Sequence, residues 1–356
     1  MKSSNELRRR MKNAVSCSVL LLLLLMSLLS SGQTLGGKAV FNFAQQPNTA
    51  QLSALGGINV SNISADVGVA FHNPALLREK MSGDINASFN SFFAGIKNYS
   101  LSSAYTSEKS ATNFAFGVNY FNYGNIAQTD ASGNVLGSFH PSEFVLQVQA
   151  SKQYKNYWYY GATLKFLNAQ YGQYASNAIA VDVGVSFYDS TKGLQASVVA
   201  KNMGSQLKTF AANTLKEELP FDLQAGITKR LANAPFQFSL TAHHLHRFNI
   251  RYSDSSFLLA EGVDDFRGKK FTFDKIVSHL VFSTQVYLKD KVELTGGYNF
   301  LRRKDLNVLS SANGLNGLTL GAALLLRNLQ IRYATGFYQQ NLFNQFSVNF
   351  NWQKDK

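Results

Sequence analysis

The chain has one cysteine, five prolines and two tryptophans in 356 residues, and only 15% of its residues are charged. The cysteine, Cys17, stands at the start of an N-terminal apolar run, whereas a lipoprotein cysteine would follow such a run. With that leader removed the mature chain has no thiol, which excludes disulfides, thiol catalysis and zinc–cysteine centres. No apolar stretch reaches the ~20 residues of a spanning helix, and the mean hydropathy of −0.11 excludes a helical membrane protein. A charge share this low is nevertheless unusual for a soluble protein. A membrane barrel reconciles the two, because it alternates lipid-facing apolar residues with polar lumen residues and averages near neutral.

What is abundant is aromatic: 28 Phe and 16 Tyr bring the aromatic share to 13%. The formal charge is +13, and about +9 remains once Lys2, Glu6, Arg8, Arg9, Arg10 and Lys12 of the leader are set aside. The basic residues are scattered among strand ends and loops, with no basic helix or ribbon, so they suit solvated rims and anionic lipid headgroups rather than nucleic acid. The leader, "MKSSNELRRRMK" followed by "VLLLLLLMSLL" and small residues at Ser30 and Gly32, reads as a signal peptide over 1–32.

From about residue 84 the sequence alternates with period two. In "FSVNFNW", Phe346, Val348, Phe350 and Trp352 share one face and Ser347, Asn349 and Asn351 the other, and "FAFGVNYF", "AVDVGVSF" and "FDLQAGIT" repeat the pattern. The expected strands are 84–93, 96–106, 112–123, 142–153, 157–170, 177–188, 193–204, 220–231, 235–246, 277–288, 291–302, 315–327, 328–339 and 343–353. Most are long enough to cross a bilayer at a tilt, which takes ~9–11 residues. The links after even-numbered strands are short, whereas 124–141, 205–219, 247–276 and 303–314 are long and all follow odd-numbered strands. Short periplasmic turns alternating with longer external loops is the outer-membrane pattern. The expected fold is therefore an all-β, antiparallel transmembrane barrel of about 14 strands over 83–356. Aromatics near strand ends (Tyr157, Trp158, Tyr159, Tyr160, Phe337, Tyr338) suit interfacial girdles.

Catalytic constellations are lacking. Ser205 and Lys208 spell S-x-x-K, but the accompanying S-D-N and K-T-G elements do not occur, and Ser205 is expected to open an external loop. "LGGKAV" lacks the phosphate-loop spacing, and "DASGNV" lacks the acidic positions of a calcium loop and reads as a turn. In "TAHHLHR", His244 and His246 would share a strand face and could chelate a metal; with no carboxylate nearby in sequence they read as rim histidines, beside His243. His72 and His140 have no motif around them. The expectation is no enzyme, no cofactor and no metal.

The segment 33–82 is too rich in Gly, Asn and small residues to be a membrane strand. A wide barrel is an open channel unless something fills it, so this segment is expected to fold back into the lumen as a hatch. Gly56 and Gly57 permit positive φ. Pro74 disfavours helix at Asn73 and can start one itself, with Ala75, Leu76 and Leu77 as good helix formers, and Asp66 is suited to a lumen cation or to backbone donors.

"NPALL" after a Gly-rich segment resembles the N-terminal hatch of the FadL superfamily of long-chain fatty-acid transporters. "QQPNTAQLSALGGINVSNISADVGVAFHNPALLREKM", "YFNYGNIAQTDASGNVLGSF", "VVAKNMGSQL" and "LPFDLQAGITKRLANAPFQFSLTAHHL", in order along most of the mature chain, resemble the PorQ family of type IX secretion barrels in Bacteroidetes. That resemblance implies a fourteen-stranded barrel of the outer membrane. It also implies a place in the surface attachment machinery, beside PorZ-like, PorU and PorV partners that join secreted proteins to lipopolysaccharide. Loops 205–219 and 247–276 become the candidate docking surfaces. Insertion signals of such barrels often end on an aromatic, whereas here Trp352 and Phe350 are the nearest aromatics to Lys356. The superfamily resemblance alone implies transport of hydrophobic small molecules, for which "SSFLLAEG" around Leu258 is a candidate pocket lining.

Overall fold

The computed structural model describes residues 39–250, 273–306 and 313–353. The signal peptide, the "SSFLLAEG" stretch and Lys356 lie outside them. Fourteen strands close into an antiparallel barrel: β1 (Asp84–Ser91), β2 (Lys97–Ser107), β3 (Thr112–Asn122), β6 (Ser142–Tyr154), β7 (Trp158–Tyr171), β8 (Tyr174–Asp189), β9 (Leu194–Lys208), β10 (Asp222–Arg230), β11 (Phe236–Ala242), β12 (Leu280–Leu288), β13 (Val292–Asn299), β14 (Leu318–Leu325), β15 (Leu329–Tyr338) and β16 (Asn341–Asn351). β1 pairs with β16 from Asp84↔Asn351 to Ser91↔Asn344, which leaves the barrel without an edge. β4 (Ile126–Thr129) and β5 (Val135–Phe139) form a separate two-stranded hairpin in the β3–β6 link.

The alternation is realised inside out. On β16, Phe346, Val348 and Phe350 are 42–53% exposed, while Gln345, Ser347 and Asn349 between them are at most 3% exposed. The same inversion holds on β7, where Leu164 and Phe166 are exposed and Thr163 and Lys165 are buried. Polar side chains buried inside and apolar ones exposed outside are the reverse of a water-soluble core, and they match a wall between lipid and a polar lumen. Exposed Tyr105, Tyr154, Trp158, Tyr160 and Trp352 gather at the short-turn end, as an aromatic girdle would. Tyr159 departs from it: its ring lies inward, with the Arg78 guanidinium 3.5 Å from its centroid.

Several boundaries move for local reasons. β9 runs on to Lys208, so Ser205 and Lys208 belong to a strand and not to a loop. β11 stops at Ala242 because His244 turns left-handed, with φ 54°. β13 ends at Asn299, whose side-chain oxygen accepts from Arg302 N as the helix Phe300–Leu306 begins. The short-turn links include Glu108–Ala111, Lys155–Tyr157 and Lys289–Lys291, and the long links all lie at the opposite end.

Residues 41–81 run through the lumen. At the long-loop end Ala39 bridges to Glu218, with Val40 N donating to Glu218 O at 3.0 Å. At the short-turn end Arg78 meets Tyr159, and Met81 leads into β1. Along the way the helix Ala50–Ala54 packs on β13–β16, the 3₁₀ turn Val67–Phe71 on β1 and β2, and the turn Pro74–Leu76 on β6–β8. Opposite walls are thus tied through one segment.

Candidate functional site

Six inward-facing glycines, on six strands, receive this segment. A Cβ on Gly161 would lie 2.7 Å from the Pro74 carbonyl carbon, one on Gly117 2.9 Å from the Phe71 ring, and one on Gly226 2.9 Å from Ser61 Oγ. Gly184 faces Asn73, Gly297 faces Leu55 and Gly56, and Gly321 faces Ala54. Each of these strands gives up a side chain where the lumen backbone comes closest. Every glycine sits on the polar-face parity of its strand, a signal readable in sequence only once the lumen face is known.

The residues singled out in the N-terminal segment lie as follows. Gly56 and Gly57 have φ of 91° and 85° and turn the chain after the helix Ala50–Ala54. Asn299 Nδ2 donates to Gly56 O at 3.2 Å. Asn73 caps the Pro74–Leu76 turn, accepting from Ala75 N at 3.0 Å, and its amide donates to Val60 O at 2.7 Å. Ala75, Leu76 and Leu77 are fully buried, with Leu76 and Leu77 in an apolar cluster against Met81, Ala104 and Ala115 near the short-turn end. The wall supplies further bonds: Ile63 N donates to Gln195 Oε1 at 2.7 Å, Asn349 Nδ2 to Ala65 O at 2.9 Å, and Thr319 Oγ1 to Ala54 O at 2.9 Å.

Asp66 joins the segment to the wall electrostatically. Its carboxylate accepts from Gly68 N (2.8 Å), Thr49 Oγ1 (2.7 Å) and Asn86 Nδ2 (2.9 Å), and Arg332 Nε lies 3.8 Å away. Arg332 also reaches Glu293 at 3.1 Å, and all three side chains are buried. A second buried pair, Lys165–Asp182 at 2.5 Å, stands beside Lys201, whose Nζ donates to His72 Nδ1 at 2.6 Å. Two groups of charges that a polar lumen would hydrate, Asp66–Arg332–Glu293 and Lys165–Asp182, are therefore paired within the protein.

At the long-loop end the lumen changes character. Phe121, Val145, Leu167, Ala169, Ala178 and Ala180 form an apolar chamber, bordered by Phe92, Tyr171 and Phe210, and Phe41 and Phe43 of the N-terminal segment fill it. The Phe43 and Phe121 rings meet edge-on at 5.7 Å. Phe41 is held at φ 59°, a conformation rare for a bulky residue.

Beside this chamber lies a polar cavity lined by Gln45, Asn59, His72, Lys201, Asp222 and His244 among others, with room of about 20 Å³ for water-sized molecules. That is space for one water. At its rim His243 and His244 have Nδ1 atoms 2.6 Å apart, and Asp222 Oδ2 lies 3.7 Å from His244 Nδ1. Burial pushes the His243 imidazole well below its ordinary value, and the neighbouring His244 and His279 add to this. Burial also lowers His244, against the opposing pull of Asp222, and brings His246 down to about 4. The expected pairing of His244 with His246 is replaced by His243 with His244. The carboxylate that sequence proximity lacked is Asp222, twenty-odd residues earlier on the neighbouring strand. Among the described residues no nucleophile–base–acid set forms around Ser205, whose hydroxyl bonds only Gln206 O.

No family model matches the chain, and no curated protein matches it. Solved structures do match. The monoaromatic hydrocarbon channel CymD superposes with a TM-score of 0.50 at 14% identity, covering 88% of this chain and 99% of its own. The Pseudomonas putida toluene transporter TodX gives 0.50 at 10% identity over 85% and 96%. A Pseudomonas aeruginosa FadL homologue gives 0.49 at 9% identity over 86% and 98%. At these identities the likeness is one of fold alone: a closed antiparallel barrel similar to those of CymD and TodX.

Proposed function

We propose that this chain is a non-enzymatic outer-membrane barrel in which residues 33–82 act as a lumen plug, and that it admits small hydrophobic molecules at its outer mouth. The observation that carries this reading is the apolar chamber at the long-loop end, occupied by Phe41 and Phe43 of the plug. A hydrophobic molecule arriving from outside competes with these two rings for the same surface, and losing that competition frees the start of the plug. The names of the structural neighbours CymD and TodX, both hydrocarbon channels or transporters, support the same class. The test is binding of radiolabelled toluene to the purified full-length barrel in detergent, with Phe41→Ala/Phe43→Ala as the second protein. Saturable binding that tightens in the double variant supports the reading. Absence of saturable binding in both proteins overturns it.

A second reading has its own support. The lumen cavity holds about one water, and the β4–β5 hairpin carries Val135 and Leu136 at 69% and 66% exposure, away from the barrel wall. A barrel filled this tightly also suits an anchor, and the resemblance to the PorQ family supports a role beside a PorZ-like partner, with PorU and PorV, in lipopolysaccharide attachment of secreted proteins. Of the expected docking loops, 205–208 belongs to β9 and 251–272 lies outside the described residues, which leaves 209–219, 247–250, 273–276 and the hairpin as described outer surface. Mild-detergent purification from outer membranes followed by mass spectrometry separates the readings. A stoichiometric large surface protein favours the anchor, and a lone barrel carrying a hydrophobic ligand favours transport.

A further inference from the structure

His243 and His244 are adjacent, and on a regular strand adjacent side chains point to opposite faces. Here the strand ends at Ala242 and His244 takes φ 54°, a backbone state that costs a non-glycine residue energy and clusters at functional sites. Its effect is to bring both rings to the same side, with centroids 4.8 Å apart and Nδ1 atoms 2.6 Å apart. Asp222, at the start of the neighbouring β10, completes a group whose ligand atoms all lie within 4.8 Å of one another.

The surroundings hold these donors in place. Asp222 Oδ1 accepts from His244 N at 2.6 Å and Oδ2 from Gln224 Nε2 at 2.6 Å, which fixes the carboxylate plane. His243 is fully buried, its backbone N–H donates to His279 O at 2.9 Å, and its ring Nε2 has no partner. His279 Nδ1 in turn lies 2.7 Å from His243 O.

We propose that Asp222, His243 and His244 form a binding site for a borderline divalent transition cation of the zinc class. Two imidazoles and one carboxylate are a known donor set for such cations, with bonds of about 2.0–2.2 Å, and three protein ligands leave a fourth position open. The two Nδ1 atoms converge on one region, and a cation that takes the place of the shared proton, with bonds of about 2.0–2.2 Å, requires them to part from 2.6 Å to about 3.3–3.6 Å. His246 lies near this group: its ring centroid is 6.0 Å from that of His244 and its Nδ1 is unpartnered. Asp222 and His244 also line the cavity bounded by Gln45, Gly57 and Asn59 of the N-terminal segment. A cation there ties the start of β10 to the end of β11, beneath the two long loops and against the lumen filling.

The test uses the full mature chain carrying a tag without histidine, purified in detergent, stripped with chelator and titrated with zinc chloride by calorimetry. Metal content after dialysis is read by mass spectrometry. The expected result is one zinc per chain, weakened in Asp222→Asn by more than the about 10–100-fold that loss of an outer-shell partner alone produces, and abolished in His243→Ala/His244→Ala, with His140→Ala unchanged. Folding of each variant is read from the heat-dependent gel shift of the barrel, and Asp222→Asn carries the test if the double variant does not fold. Absence of zinc binding in the unsubstituted chain, or binding equal to that of folded Asp222→Asn or folded His243→Ala/His244→Ala, overturns the proposal.

Discussion

Arg332 is the side chain on which the lumen electrostatics turn. It sits between Glu293 on the wall and Asp66 on the N-terminal segment, and Gln285 and Thr295 donate to the far oxygen of Glu293 at 2.7 and 3.0 Å. Arg332→Met removes the cation and leaves two buried carboxylates. Breaking a buried pair in this way costs about 3–5 kcal/mol, so the temperature at which the barrel loses its folded gel mobility should fall sharply, and Arg332→Lys should recover part of it. An unchanged transition temperature in Arg332→Met would refute the assignment. None of this network was legible in the sequence, because Asp66, Glu293 and Arg332 are far apart along the chain and meet only when the barrel closes. What could be read was the local chemistry: an isolated Asp in a Gly-rich segment, suited to a cation or to backbone donors.

Elements show where periodicity is informative and where it fails. The wall strands were legible because each has one lipid face and one lumen face, so that burial alternates as in β8, whose inward Asp182, Gly184 and Ser186 separate outward Val181, Val183 and Val185. The β4–β5 hairpin was missed for the converse reason: nearly all of its residues are exposed on both faces, so no pattern marks it. Its turn is held by Asp130, which accepts from Ser132 N, Asn134 N and Asn134 Nδ2, each at 2.9 Å. These bonds, the Asn134 side chain's first, hold the Asp130 carboxyl below its ordinary value. A depressed carboxyl stabilises the turn above its unfolded value of about 3.8 and loses that contribution as pH falls through the folded value. Proteolysis between 131 and 134 should therefore quicken on acidification in the native chain. It should already be fast at neutral pH in Asp130→Ala; equal rates at neutral pH would contradict this. The glycine ring makes a second prediction. Gly161→Ala/Gly297→Ala places methyl groups against Pro74 and Gly56, overpacking of a kind that costs about 1–3 kcal/mol. The wall strands lose no hydrogen bond, so the barrel should form while residues 41–81 become accessible to protease. An unchanged protease pattern would contradict the ring's role as the seat of the segment.

At the scale of the whole molecule, a closed wall with an apolar exterior and a polar interior poses a problem that the wall itself cannot solve. Inward-facing Asn, Gln, Ser and Thr side chains need partners or water, and the N-terminal segment supplies partners to side chains on β1, β9, β14 and β16. Composition and loop parity made the barrel legible, and the Gly- and Asn-rich start made a luminal segment expected. The depth of the fit was not legible, because the six receiving glycines lie on strands from β3 to β14 and each alone looks like ordinary strand variation. The most direct measurement is single-channel conductance in planar bilayers, comparing the mature chain with one lacking residues 42–76. Heat-dependent gel mobility would show that the shortened chain still forms a barrel. The full chain should remain closed and the shortened one should open as a stable channel. A full chain that conducts steadily, or a folded shortened chain that stays closed, would contradict a plugged barrel.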